Sequence, residues 1–338
     1  MARSVSPGPE IHRTDFPITA VALSWTGSPR GVRLRLYNRK GKPGAWRTVV
    51  PGCPCGKDGP GRDGATAPRN QALVPAGNSY GYQLEAASGV RVTESLAIDT
   101  EREPRTGEPL ASGTPSARAS RDPSGSLSPR PAFPPSGLIT RAAWGADETK
   151  RFTANGSESS PTVFTPFQMI TVHHTATDPD DPDPAATVRA IYQQHAVSND
   201  WGDIGYHFLI DQRGQIYEGR YSGTDGRPAH NARDEVVTAF HTIGFNPGNI
   251  GIALLGDFTK AERTPRMQES LVNLTGALAS LHGLAPLSRV TYRHVVTGRT
   301  TQGPAVAGHR DWTSTDCPGT TAYLGLGRIR EQAARLYG

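Results

Sequence analysis

Three segments concentrate the side chains that could do chemistry: VHHTAT at 172–177, GYHF at 205–208 and GHRDWTSTDCPG at 308–319. Zinc takes imidazole nitrogen and thiolate sulfur, and a catalytic site keeps three protein ligands and one open position. His309 and Cys317 offer one donor of each kind, although their spacing also suits a loop with no metal. The histidine pair directly after the apolar run MITV projects a side chain from the end of a strand, where open α/β sites gather. Neighbouring strand residues face opposite ways, so one of the pair can reach such a site, and His174 reads as satisfied by backbone or water. Of the ten histidines only His12 lies before residue 138, which says where a metal would sit.

The elements that must position these groups follow from periodicity and turn residues. After residue 138, MITVHHTA reads as a buried strand and AATVRAIYQQHAV as a helix with Val188, Ile191, Tyr192 and His195 on one face. YHFLIDQRGQIYEGR is a hairpin turning at Arg213-Gly214, and NIGIALLGDF is another strand. Thr264 and Pro265 open a helix with an apolar stripe from Met267 to Leu281, and Gly283 closes it. A C-terminal helix follows Pro318. The expected fold of 138–338 is α/β, a mixed central sheet flanked by helices. Residues 15–99 read differently: ITAVALSW, VRLRLYN, YGYQLEAA and VRVTESLAI are short β segments between turn residues, predicting a small all-β sandwich. Residues 100–137, rich in Pro, Ser and Arg, are too poor in large apolar groups to form a core and read as a linker.

The chain of 338 residues is long enough for about two domains. It has no run of about 18 apolar residues, so no membrane span is expected. Its start, MARSVSPGPEIHRTDF, has no apolar stretch of a signal peptide. The net charge of +5 is spread, with no run of five Lys/Arg. That disfavours nucleic acid as a partner and leaves mild attraction to anionic cell-wall polymers. Cys53 and Cys55, one proline apart, would form a strained ring if paired and read as structural or incidental.

The segments ITRAAWGA, ITVHHTAT, WGDIGYHFLID, GQIYEGR, NIGIALLGDF and GHRDWTSTDCPG, in that order, resemble the peptidoglycan recognition protein family, which includes zinc N-acetylmuramoyl-L-alanine amidases. The match covers roughly residues 138–338, and the extra β-rich segment before it resembles long, actinomycete-like bacterial forms. The resemblance implies that zinc is held by His173, His309 and Cys317 and that Tyr206 is the active-site tyrosine. Some phage members carry lysine where this chain has Thr315, so Thr315 is either a substitute hydroxyl donor or a loop-capping residue. It also implies the substrate, the amide between N-acetylmuramic acid and L-alanine in peptidoglycan. Secretion or association with the cell wall is then expected, with an export signal removed. The alternative is a module that binds muropeptides in the same groove without cutting them. Relatives that only bind have typically lost the zinc cysteine, which is present here.

Four further residues are candidates for substrate contact on the same ground: His230, Trp201, Asn249 and Arg220. Each has a plain structural reading too, as loop, packing or bracing residues. Trp144 reads as a packing anchor and His195 as a core histidine; His207, His241, His282 and His294 are assigned no role. Pro318 is expected at the first helical position, with Cys317 at the helix N-terminus where the dipole favours a thiolate.

Overall fold

The structure, a computed structural model, describes residues 2–5, 10–51, 70–100 and 133–337. Cys53, Cys55 and most of the expected linker lie outside the described residues. Six strands form one antiparallel sheet: β1 (Ala2–Val5), β2 (His12–Thr26), β3 (Val32–Tyr37), β4 (Arg47–Thr48), β5 (Asn70–Ala86) and β6 (Arg91–Ile98), in the order β1-β6-β2-β5-β3-β4. Two facing sheets were expected from the sequence; the hydrogen bonding joins all six strands into one. The reason lies in β2 and β5, which run for 15 and 17 residues. Register shifts interrupt their pairing around Ile18, and such irregularities bend and twist a strand. A single sheet can then curl over its own face, where Val21, Leu23 and Trp25 of β2 bury themselves with Val32, Leu34 and Tyr82. Ala20 and Ala22 point the other way, into a cluster shared with the C-terminal half.

That half contains α1 (Arg141–Trp144), β7 (Phe164–Thr165), β8 (Met169–His174), α2 (Pro184–Gln193), β9 (Phe208–Ile210), β10 (Ile216–Glu218), β11 (Val236–Val237), β12 (Asn249–Leu254), α3 (Pro265–His282), β13 (Arg289–Arg293), β14 (Thr300–Pro304), β15 (Val306–Gly308), α4 (Thr320–Leu324) and α5 (Leu326–Tyr337). The central sheet has the order β10-β9-β12-β8-β15. β9, β12, β8 and β15 run parallel and β10 pairs antiparallel at the edge, the mixed sheet expected. Parallel strands need cover on both faces. Ile170, Val172, Ile250 and Ile252 face Met267, Leu271 and Leu274 of α3 and Leu326 and Ile329 of α5. Leu209 and Ala253 face Val188 and Ile191 of α2.

The caps of α3 are as read: Thr264 accepts from the Met267 N–H, and Gly283 adopts a left-handed conformation. The chain end differs from expectation in two ways. Pro318 precedes Gly319, which caps α4, and the helix breaks at Gly325 before α5. Gly319 has a φ of 88°, and a Cβ there would sit 2.3 Å from the Phe258 carbonyl carbon, so only glycine turns this corner. Packing of the C-terminal half also begins inside the expected linker, with Phe133 edge-on to Phe208 and His230.

Candidate metal centre

Parallel pairing assembles the site. In β8 and β15 the register matches Gly308 with Val172, so the residues that follow, His309 and His173, emerge side by side at the same end of the sheet. Alternation along β8 sends Val172 to the α3 face and His173 to the α2 face. His174 turns the other way, as expected: its Nδ1 accepts from the Phe258 N–H at 3.2 Å and lies 3.7 Å from an Asp257 carboxylate oxygen. Cys317 arrives from the loop after His309. Arg310 fixes that loop by donating its backbone N–H to the Cys317 carbonyl, and Asp311 by accepting from the Gly308 N–H and the Tyr323 hydroxyl.

The donor atoms of His173, His309 and Cys317 lie within 4.8 Å of one another, and His173 Nδ1 is 3.6 Å from Cys317 Sγ. A tetrahedral zinc with Zn–S of about 2.3 Å and Zn–N of about 2.0 Å sets its N···S edge at about 3.5 Å. The donors therefore fit zinc in kind, and the His173–Cys317 edge fits it in spacing. Burial keeps both imidazoles neutral, the state in which they ligate: His309 is pushed down to about 3 and His173 well below its ordinary value, each with further repulsion from neighbouring histidines.

Cys317 corrects an expectation. No helix terminus activates it; burial pushes the thiol up to about 12, opposed by the His174 N–H at 3.4 Å and by Arg310. A coordinating cation reverses this preference outright. Tyr206 completes the group, its ring 5.4 Å from that of His173. Burial, and then the nearby Cys317, raise its pKa, so it stays a neutral hydroxyl donor. Thr315 accepts from the Cys317 N–H at 3.2 Å and so caps the ligand loop.

His241, assigned no role from the sequence, supports the centre. Its Nε2 lies 2.9 Å from the Asn249 carbonyl, which can only accept, so Nε2 carries the proton and Nδ1 a lone pair. His173 Nε2 is 3.0 Å from that Nδ1, and the Thr242 hydroxyl is within 3.5 Å of both. In either sharing pattern His173 carries its proton on Nε2 and presents Nδ1 toward Cys317. Asn246 holds the loop by accepting from the His241 and Thr242 N–H groups. Gly251 makes room: a Cβ there would meet the His241 ring at 2.6 Å. The signal available in the sequence was a histidine leading into the Asn-Pro-Gly turn before β12.

The other candidates lie apart from the three donors. Asn249 spends its side chain on the Thr171 hydroxyl and the Phe245 carbonyl. His230 hydrogen-bonds His282 at 2.8 Å and packs on Phe133. Trp201 is buried against His195 and Phe240. Arg220 is buried over the Phe240 ring, and burial lowers its pKa to about 10. His195 is the core histidine expected, accepting from the Gly205 N–H.

Residues 163–320 match the family described as N-acetylmuramoyl-L-alanine amidase. That segment, a little under half of the chain, is similar to this family. A human N-acetylmuramoyl-L-alanine amidase is 30% identical over 166 residues, which is 47% of this chain and 23% of that protein. Peptidoglycan-recognition protein SC1a/b of Drosophila simulans is 28% identical over 185 residues, 54% of this chain and 80% of that protein. The chain thus spans less than a quarter of the human relative. Among solved structures, Drosophila PGRP-LB is 24% identical, with a TM-score of 0.41, over 56% of this chain and 92% of that one. Within the matched segment His173, His309 and Cys317 come together, and among the described residues no helix is long and apolar enough to cross a membrane.

Proposed function

We propose that this protein is a zinc amidase that cleaves the bond between N-acetylmuramic acid and L-alanine in peptidoglycan, acting outside the cell or at the wall. The observation that carries the reading is the meeting of two neutral imidazoles and a thiol, their donor atoms within 4.8 Å of one another, beside Tyr206. Zinc, when bound, supplies a Lewis acid that polarises the amide carbonyl and acidifies water. His173, His309 and Cys317 would hold it, and His241 keeps His173 in the tautomer that presents Nδ1. Tyr206, held neutral, donates its hydroxyl proton as a hydrogen bond to the oxygen on which negative charge develops. Thr315 is the second candidate donor, working from the turn that it caps. The basic surface, with a net charge of +5, favours association with anionic wall polymers.

A second reading, recognition of muropeptides without hydrolysis, is favoured by the burial of all four groups, none more than 3% exposed. The two separate on purified peptidoglycan incubated with and without chelator, with newly exposed L-alanine amino groups counted. Chelator-sensitive release is expected, and Cys317→Ser should abolish it while muropeptide binding persists. No release from protein with zinc shown to be bound would leave recognition as the function.

A further inference from the structure

The metal centre and the N-terminal sheet meet on the same side of the molecule. His173 points to the α2 face of the central sheet, and the N-terminal sheet packs there, with Ala22, Leu73 and Ile98 in one cluster with Ile191 and Tyr206. Side-chain hydrogen bonds cross the contact at Gln71–Leu73 of β5. The Gln71 and Asn199 side-chain amides exchange hydrogen bonds at 2.7 and 3.3 Å, and Gln194 donates to the Ala72 carbonyl at 3.4 Å. Between these residues and Thr175, His195 and Tyr206 lies a void of about 30 Å³. That is room for about one water, whereas sites for small organic ligands run to about 300–1,000 Å³. A glycan-peptide cannot enter on this side while the sheet is seated.

Farther along β5 the same two surfaces part around a cleft of 490 Å³. Lys42 and Arg47 of the N-terminal sheet line one lip, and Asp178, Asp181 and Asp183 the other. Opposite charges across solvent attract weakly and are screened by salt, so they favour a contact that re-forms rather than a permanent one.

We propose that the N-terminal sheet is an intramolecular cover for the metal centre, seated through Gln71–Leu73 on Thr175, His195 and Tyr206, and that it lifts before wall polymer reaches His173, His309 and Cys317. This rests on the proposed amidase site, yet the cover can be tested without catalysis. In metal-free full-length protein carrying Cys53→Ser and Cys55→Ser, the rate at which an aromatic disulfide reagent modifies Cys317 reports access. Gln71→Glu with Asn199→Asp sets two carboxylates against each other and should speed modification roughly tenfold at low salt. Gln71→Lys with Asn199→Asp replaces the amide pair by an ion pair and should slow it roughly two- to fivefold. Both positions are half-buried polar sites, and thermal melting verifies that each variant is folded. Equal rates in the parent and both folded variants would overturn the cover. Rates ordered as expected, with no amide cleavage in any zinc-loaded variant, would keep the cover and remove the amidase reading.

Discussion

Replacing His241 by alanine tests how the centre is held. His241 is fully buried, and its two ring nitrogens link the Asn249 carbonyl to His173 Nε2 at 2.9 and 3.0 Å. Without it, His173 loses the partner that fixes its tautomer and its ring orientation, while the three ligands stay in the chain. Loss of such a supporting partner typically weakens metal affinity 10–100-fold, or about 1.4–2.7 kcal/mol. The variant also loses buried hydrogen bonds, with a stability cost of about 1–3 kcal/mol. The two effects are read separately: zinc affinity by competition with a chromophoric chelator, and stability by urea unfolding of the metal-free protein. His241→Gln, which can still accept through its amide oxygen, should recover part of the affinity. A folded His241→Ala protein that binds zinc as tightly as the parent would refute the positioning role, whatever its stability.

Two further outcomes are expected. Tyr206→Phe preserves the ring packed on His173 but removes the hydroxyl, so turnover of peptidoglycan should fall about 10²–10³-fold with zinc content unchanged; retained turnover would exclude Tyr206 as the donor. Metal-free protein should lose stability as pH falls from about 6.5 toward 4, because burial holds His195 down to about 3 and His230 to about 4 while the unfolded chain takes up protons near 6.5. Each contributes up to about 1.4 kcal/mol per pH unit in that window, and urea unfolding at pH 7, 6 and 5 that showed no decline would contradict their buried, neutral state.

The three donors were legible because their residue types are rare in this chain and sit in short motifs, and β8 and α3 were legible from strong apolar runs with caps. What local pattern could not show depends on long-range pairing. His241 looks like an ordinary loop histidine until β12 lies beside β8 and Gly251 opens space for its ring. The curl of the N-terminal sheet needs register shifts between strands more than fifty residues apart. The dipole expected at Cys317 failed for a local reason, since Gly319 rather than Cys317 caps α4, and burial then decides the thiol's preference.

The choice between cutting and recognising turns on what the buried donors require. Recognition of a glycan-peptide needs a groove with shape and well-placed hydrogen-bond groups, and nothing in that task calls for a thiol within 3.6 Å of an imidazole nitrogen. Buried polar groups are expensive to bring together without a partner that uses them. Here a neighbouring histidine, a carbonyl and a turn asparagine are committed to aiming one of them. A soft cation bound by two nitrogens and a sulfur recovers that outlay, and with three protein ligands it keeps a position open for chemistry. The donor set therefore favours the proposed amidase over recognition alone, and the proposed cover would act on access to these same three side chains.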